Sequence, residues 1–537
     1  MAAVALPCGA AVRFDRAAYL DAMETAVGAY SDAHVMRYAE ETEREGVQEH
    51  GFPRLTANLA VLVAHGRMTC RTAVLKRMMD VCFRDVGRKM PPKSGGNDFS
   101  VKELVLALQE LERAGTFDKA VTDGWRRLMT AAVAARMYTV QPRVGNLKRA
   151  YNWSVFGAAS EQARIFAGMG GDSEYVERYV SDQLRWFDAN GMYRDPGQPM
   201  VYDMVTRLQF AAILRLGYDG PSRAALEAEF LKSAEPTFAM QSVAGEIPYG
   251  GRSNQFLHNE TFYAALCEWY AAFFGTRGEL SRAQRFRGAA KRAMASLAYW
   301  TDMKPIRHVK NRFPTETGYG CEKYAYFDKY MVTMASWAYL AYRFADDSIA
   351  ADDASADSEF TTTEEFHRTM VNRGGYTVQW DWNAQAGYDA NGVGRIQRRG
   401  APPAICLSAP CPVNAHYRMD ITNDIPFAIA TADGKLVRPV RVDDGGVVFE
   451  LKGKGRQTLM LPALVSDGES VSEIRKGERT LEVVFRGWIC AYRTDGRIID
   501  TGKTYGNRNG YYRRFDASGE GALRVAISIY PVGGQML

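Results

Sequence analysis

The sequence lacks the features that mark membrane-spanning and nucleic-acid-binding proteins. No apolar stretch among its 537 residues is long enough to cross a bilayer, which excludes a membrane span. The net charge is only +5 and no long Lys/Arg run occurs, which argues against a nucleic-acid partner. With 47% hydrophobic and 24% charged residues, the composition is typical of globular proteins, and the length predicts two or more domains.

The eight cysteines include no pair at metal-ligand spacing, so neither a metal site nor another cofactor is predicted. Most are expected to be buried free thiols, although Cys406 and Cys411 are close enough in sequence to form a bridge. The opening residues 1–8 lack the basic flank of a signal peptide.

The first two thirds of the chain repeats a helical period of apolar residues. Twelve helices are predicted, at 15–46, 53–66, 69–87, 100–114, 118–138, 153–170, 173–189, 200–216, 221–236, 260–275, 279–299 and 323–346. Connections within successive pairs are short, whereas longer segments rich in aromatic, glycine and polar residues precede each pair. These longer segments are 50–54, 94–100, 149–154, 194–203, 245–260 and 312–326.

Six helical hairpins joined in this way can close into an α/α toroid whose long loops surround one mouth. Function is then expected where those loops converge. A helical repeat scaffold without cleft chemistry is the alternative. This scaffold is disfavoured, because it gives little reason for His, Arg, Asn, Tyr and Trp to occur consistently on one set of loops.

A change of composition predicts the domain boundary. The toroid is expected over 1–345, an acidic linker over 346–366, and an antiparallel β domain, a sandwich, over 367–537. A magnesium-binding aspartate cluster in the linker is disfavoured, because the acids lie among Ala and Ser beyond the last helix. Residues 387–400 are predicted to be a loop, being too glycine-rich and basic for a strand. The predicted strands are 376–382, 437–442, 447–451, 481–485, 488–492 and 523–530.

Residues 245–260 form the strongest candidate for an active-site loop, because glycines and polar side chains immediately precede an apolar helix. Asn259 is placed to cap the first helical turn. Free backbone N–H groups and the helix dipole favour an anion there, and a carboxylate or phosphate is the expected guest. The polar side chains that gather at this point are Arg252, Asn254, Gln255, His258 and Glu260.

This architecture resembles the polysaccharide lyases of the heparinase II/III type and the related rhamnose-glucuronate lyases. The resemblance implies a periplasmic or secreted lyase that cleaves an acidic oligo- or polysaccharide by β-elimination at a uronic acid, and it leaves a homo-oligomer open. Relatives often carry a structural metal on histidines of the β half, where this chain has only His367 and His416. The mouth residues that carry the resemblance are Asn254, His258, Asn259, Tyr319 and Tyr324.

In such a reaction the uronate carboxylate is neutralised, a base removes the adjacent proton, and an acid protonates the departing oxygen. The resemblance implies His258 as base or neutraliser and Tyr319 or Tyr324 as proton donor. Lys323 would lower the pKa of a nearby tyrosine. The implied substrate-binding residues are Arg252, Asn254 and Asn259 for the carboxylate, Trp153, Tyr202 and Tyr249 for stacking on sugar rings, and in addition Asn152 and Lys323.

Hydrolysis is the main alternative, because toroid glycosidases use two acidic groups. The sequence does not give the distances between carboxylates, so elimination and hydrolysis stay open. A noncatalytic glycan-binding protein that keeps Trp153 and Tyr249 is the third possibility. The acidic candidates are Glu246, Glu260, Glu316, Glu322 and Asp203, with Glu260 the first choice.

Overall fold

The computed structural model describes residues 14–88, 96–138, 152–196, 200–322, 324–354, 357–384, 391–407, 429–431 and 435–534. Helices fill the first part of the chain. They are α1 (Ala17–Gly28), α2 (Asp32–Glu45), α3 (Gly51–Ala64), α4 (Thr72–Asp85), α5 (Val101–Ala114), α6 (Lys119–Ala131), α7 (Ala134–Met137), α8 (Asn152–Phe166), α9 (Ser173–Gln183), α10 (Met200–Arg215), α11 (Arg223–Ala239), α12 (His258–Gly275), α13 (Leu280–Thr301) and α14 (Phe327–Phe344).

Six of these helices form a closed inner ring. α3 packs against α5, α5 against α8, α8 against α10, α10 against α12, α12 against α14, and α14 returns to α3. Helices α4, α6, α9 and α13 pack outside this ring, each against an inner helix. The α/α toroid predicted from the sequence is confirmed by this closure.

Burial explains which helices lie inside. In α3, 13 of 14 residues are buried, whereas α6 buries only Thr122, Trp125 and Met129. A helix that is apolar all round is stable only when other elements surround it, and each large apolar side chain that it buries contributes roughly 1.5–3 kcal/mol. A polar contact supports the closure, because Asn58 Nδ2 donates to the carbonyl of Val332 at 2.9 Å, joining α3 to α14.

The helix prediction is wrong at two places. The single helix expected over 15–46 is divided into α1 and α2, because Ser31 takes an extended backbone and its Oγ accepts the N–H of His34 at 3.2 Å as an N-cap. The helix expected over 118–138 ends at Ala131, before the short α7. Asn259 does not cap α12, since it is the second helical residue and its Oδ1 accepts from Phe256 N ahead of the helix.

The second part of the described chain forms antiparallel β-sheets, as predicted. The strands are β1 (Ser358–Thr361), β2 (Arg368–Arg373), β3 (Tyr376–Asp381), β4 (Gly392–Arg398), β5 (Arg441–Asp443), β6 (Gly446–Ser466), β7 (Glu473–Lys476), β8 (Thr480–Phe485), β9 (Trp488–Thr494), β10 (Arg497–Gly506) and β11 (Tyr511–Pro531). One sheet has the order β1-β2-β3-β4, and the other has the order β5-β6-β11-β9-β8-β7 with β10 on β11. Val378 and Ile396 of the first sheet share one core with Leu461 and Phe515 of the second, as in a sandwich.

One expectation about the β half needs correction. Residues 392–398 form the buried strand β4 rather than a loop, because β3 pairs with them and one of their two arginines, Arg395, lies against the toroid. Residues 387–390 lie outside the described chain. The acidic segment after α14 is held to α13 by ion pairs of Asp347 with Arg287 and of Asp353 with Lys291.

Cys406 is a buried free thiol that accepts the hydroxyl of Tyr492 at 3.4 Å. Cys411, which is close enough to Cys406 in sequence to form a bridge, lies outside the described residues. Among the residues that are described, no helix combines the length and apolar character needed to cross a membrane.

Candidate active site

A cavity of about 270 Å³ lies where the inner helices of the toroid begin. The first turns of α3, α8, α10, α12 and α14 contribute to it, and Phe99 contributes just ahead of α5. Several helix N-termini therefore point their partial positive charge toward one space, which favours an anionic guest. The lining residues are His50, Arg54, Phe99, Asn152, Trp153, Phe156, Val201, Tyr202, Val205, Ser253, His258, Tyr324, Lys329, Tyr330, Thr333 and Trp337.

Three tyrosine hydroxyls meet at the side chain of Ser253. Its Oγ lies 3.0 Å from the hydroxyl of Tyr202, 3.1 Å from that of Tyr324 and 2.9 Å from that of Tyr330. Ser253 has a φ of 54°, in the left-handed region that non-glycine residues avoid. A conformation that costs on the order of 1–3 kcal/mol persists only where the surroundings impose it, and such residues cluster at functional sites.

Burial keeps these phenols protonated. It raises the pKa of Tyr202, although the charge of Arg252 opposes the increase. Burial and the neighbouring phenols also raise the pKa of Tyr324, and burial with Tyr202 and Glu322 raises that of Tyr330. The cluster can therefore donate protons at neutral pH.

His258 presents a neutral imidazole to the same cavity. The residue is 4% exposed, and the centroid of its ring lies 5.9 Å from that of Phe256 and 4.8 Å from that of Tyr330. Burial lowers the pKa of His258 to about 3, and the charges of His308 and Arg54 add to the decrease. Its Nε2 has no hydrogen-bond partner among the described residues. A buried nitrogen left without a partner is rare and is available to a ligand.

Cationic and amide groups complete the lining. Arg54 is buried and donates to Phe99 O and Thr333 Oγ1. Its Nη2 has no hydrogen-bond partner among the described residues, but it lies 3.7 Å from the carboxylate of Glu103 in a buried ion pair. Asn152 donates through Nδ2 to Asp195 at 3.0 Å. Asp195 also binds Arg252 at 2.9 Å.

The guanidinium of Arg252 lies 4.3 Å above the ring of Tyr202, so it stands beside the cavity without lining it. Burial raises the pKa of Asp195, against the opposing influence of Asn152 and Arg252. One buried carboxyl group thus holds an amide and a guanidinium at the edge of the site.

None of the described residues that line the cavity is Asp or Glu. The first-choice acid, Glu260, is fully buried behind it and binds Lys310 Nζ at 2.6 Å. Lys310 also binds Glu246 at 3.0 Å, and Arg395 of β4 lies 3.1 Å from the same carboxylate. Burial raises the pKa of Glu260 to about 7. Burial alone would also raise that of Glu246, but Lys310 and Arg395 hold it below its ordinary value.

The other acidic candidates also have partners or positions away from the cavity. Asp203 is buried against Arg207 at 2.6 Å, and Glu322 is buried against Arg508 at 2.8 Å. Glu316 is exposed on a short helical turn. No carboxylate pair across the described cavity follows from these positions.

Five of the predicted site residues line the cavity together: Asn152, Trp153, Tyr202, His258 and Tyr324. Lys323 lies outside the described residues. The remaining predictions are placed elsewhere. Tyr249 packs in the β core and Asn254 donates to Pro248 O. Asn259 donates to Ser253 O, and Tyr319 stacks on Phe313 and donates to Gly510 O.

Sequence reasoning missed several residues of the cavity. Tyr330 is part of an apolar helical pattern, and that pattern does not distinguish a core side chain from one facing a cavity. Ser253 belongs to the candidate loop but carries no signal of its left-handed backbone. Arg54 and Lys329 are single cations in helical segments, and their convergence depends on the closure of the ring.

No protein-family model and no curated protein sequence matches the chain. Among solved structures, the chondroitin AC lyase of Streptomyces coelicolor A3 is similar over 95% of this chain and 82% of its own, at 11% identity and a TM-score of 0.45. A family 88 glycosyl hydrolase from Bacteroides vulgatus is similar over 62% of this chain and 100% of its own, at 10% identity and a TM-score of 0.36. A family 127 β-L-arabinofuranosidase from Geobacillus stearothermophilus is similar over 95% of this chain and 93% of its own, at 10% identity and a TM-score of 0.34. The choice between elimination and hydrolysis therefore rests on the site residues.

Proposed function

We propose that this protein cleaves uronate-containing oligo- or polysaccharides by β-elimination in the cavity lined by His258 and Tyr324. The observation that carries the proposal is that the described lining offers phenols, imidazoles, an amide and cations, and no carboxylate. Glycoside hydrolysis ordinarily needs two carboxyl groups on either side of the bond, whereas elimination needs a base, an acid and a group that neutralises the uronate. Because a polymer does not cross a membrane unaided, cleavage of a polysaccharide belongs in the periplasm or outside the cell.

The electrostatics of the cavity favour an acidic sugar. Arg54 and Lys329 line it, and the N-termini of the inner helices add partial positive charge. An amide has two N–H groups, so Asn152 can bind Asp195 with one and a uronate carboxylate with the other. Neutralising the carboxylate makes the adjacent C–H more acidic, because the negative charge that develops on deprotonation is then stabilised.

His258 is the proposed base. Its imidazole is neutral before substrate binds, since burial lowers its pKa. A bound uronate places a negative charge nearby, which favours the imidazolium and so raises the pKa of His258 during the reaction. Nε2 then takes the proton from the carbon next to the carboxylate. The C–H electron pair forms the new double bond as the bond to the glycosidic oxygen breaks.

Tyr324 is the proposed acid, because it lines the cavity and its hydroxyl contacts Ser253. It gives its proton to the departing oxygen. Ser253 also contacts the hydroxyls of Tyr202 and Tyr330, so the donated proton can be replaced through the cluster. Trp153 at the lining is the proposed surface for a sugar ring.

The test is to incubate the protein with chondroitin, heparan, glucuronoxylan and arabinogalactan and to follow ultraviolet absorbance together with released saturated sugar. Elimination yields a conjugated unsaturated uronate that absorbs, and this is the expected product. Saturated ends without absorbance would support hydrolysis, and binding without either product would support a noncatalytic glycan-binding protein.

Hydrolysis and elimination predict different results when Glu260 is replaced. If Glu260 were a catalytic acid, replacement by Gln would abolish saturated-sugar release. Under elimination, Glu260→Gln leaves the unsaturated product in place, because Glu260 faces Lys310 behind the cavity.

A further inference from the structure

A turn of the β domain packs against the loop that carries Ser253, one of the residues that line the cavity. It joins β10 to β11, and Asn507 Oδ1 fixes its shape by accepting the N–H groups of Asn509 at 2.8 Å and Gly510 at 3.1 Å. Asn311 of the toroid donates to the carbonyl of Arg508 at 2.7 Å. The turn is thus rigid in itself and anchored to the helical domain.

The side chain of Arg508 at this turn is buried and grips the candidate loop. Its Nη1 donates to the carbonyls of Gly251 at 3.1 Å and Asn254 at 2.7 Å, on either side of Ser253. Its Nη2 donates to Glu322 Oε1 at 2.8 Å. The planar guanidinium suits this task, since one rigid group can hold three acceptors at once.

Glu322 connects Arg508 to Ser253. Its two carboxylate oxygens accept the backbone N–H of Ser253 at 2.9 and 3.1 Å, and Oε2 lies 3.3 Å from Ser253 Oγ. These contacts account for the left-handed backbone of Ser253, which places its hydroxyl among those of Tyr202, Tyr324 and Tyr330.

We infer that Arg508 is a positioning residue for the elimination, because through Glu322 it holds the Ser253 hydroxyl at the centre of the proton-donating tyrosines. This inference rests on the function proposed above. It makes the β domain part of the catalytic geometry rather than only a neighbour of the toroid, and it assigns Glu322 to structure rather than to acid catalysis.

The test compares Arg508→Met, Glu322→Gln and the double variant. Each single change is expected to lower kcat about 100-fold with little change in KM, since misplacing a donor by about 1 Å is enough for such a loss. Because both residues act through Ser253, the double variant should lose no more than either single one. The double variant also removes the unpaired buried charge that Arg508→Met leaves, so it stays measurable if that single variant folds poorly.

Asn509→Ala is the matched control, because it removes a contact from the same turn to Lys310 O at 3.2 Å without touching Glu322 or Ser253. Its kcat should stay near that of the unaltered protein. Losses that multiply in the double variant, or an equal loss of kcat in Asn509→Ala, would overturn the positioning role.

A crystal structure of Arg508→Met tests the inference without any substrate. Movement of Ser253 away from the three phenols supports it, and retention of all three contacts overturns it. If the unaltered protein yields no unsaturated product from any glycan, the proposed function fails. The crystal structure of Arg508→Met then decides by itself whether Arg508 positions Ser253. If the protein is active and Arg508→Met keeps its kcat, only the positioning role fails.

Discussion

Two polar clusters begin within the same short stretch of α12 and differ in what they contain. His258 faces the cavity with neutral phenols around it, whereas Glu260, two residues later, faces an ionic cluster with Glu246 and Lys310. Two residues along a helix of 3.6 residues per turn differ by about 200° in direction, so sequence neighbours point to opposite sides. The carboxylates of Glu246 and Glu260, which the sequence offers for hydrolysis, thus join the toroid to β4. The side chains that line the cavity, His258 and the tyrosines, suit the proposed elimination.

The largest expected effect is a loss of activity when His258, which faces the cavity, is replaced. His258→Gln should lower kcat about 1,000-fold, because a general base contributes a factor of about 10² to 10⁴. Its melting temperature should change little, since Nε2 has no hydrogen-bond partner among the described residues. Steady-state kinetics on the best glycan and thermal unfolding measure the two quantities. Full activity would remove His258 from the mechanism.

Substitutions in the ionic cluster of Glu246, Glu260 and Lys310 should instead change the free energy of unfolding. Lys310→Met leaves Glu246 and Glu260 buried without their shared cation, which is expected to lower the free energy of unfolding by about 3–5 kcal/mol. Lys291→Met is the control, because its partner Asp353 is exposed and such pairs contribute about 0–1 kcal/mol. Urea titration at neutral pH measures both. Equal losses would contradict the distinction between buried and surface pairs.

Tyr324→Phe sharpens the assignment of the acid. Loss of its hydroxyl should lower kcat about 100-fold, since it removes the proposed proton donor while the ring stays in place. Tyr326→Phe is the matched control, because Tyr326 is 62% exposed and does not line the cavity. Equal kinetics for the two variants would show that Tyr324 is not the donor.

The smallest effect concerns the pH dependence of stability. The pKa of Glu260 is raised from 4.5 to about 7 in the folded protein, so between these values the folded state binds more protons than the unfolded chain. The stabilisation attributable to Glu260 is therefore complete below pH 4.5 and lost as pH rises to about 7. It is on the order of 3 kcal/mol in all, of which about 2 kcal/mol is lost between pH 5 and pH 7.

Urea titrations of the unaltered protein and Glu260→Gln at pH 5 and pH 7 measure this difference. The unaltered protein should lose more stability over that interval than the variant. A parallel pH dependence would place the titration in another group.

The sequence predicts the fold better than the site for a physical reason. The period of apolar residues reports burial, so it reveals the inner helices and most strands. It did not reveal the break before Ser31 or the strand β4, where a cap and burial of Arg395 against the toroid override composition. Placing His258 and Tyr324 together needed only the idea that long loops converge.

The direction of each side chain within those loops was beyond the sequence. Tyr319 and Asn254 belong to the right segments, but they bond to Gly510 and Pro248 away from the cavity. Arg508 is about 250 residues from Ser253 in the chain and meets it only through the packing of two domains. Such contacts are set by tertiary structure, and no local pattern carries them.

The most direct test of the central claim is to run the reaction in water enriched in heavy oxygen and to analyse the new chain ends by mass spectrometry. Elimination breaks the bond without adding water, so unsaturated uronate ends free of heavy oxygen are expected. Saturated uronate ends in place of unsaturated ones, with heavy oxygen in the reducing end at the earliest time points, would contradict the account and would require a carboxylate pair to act at this site.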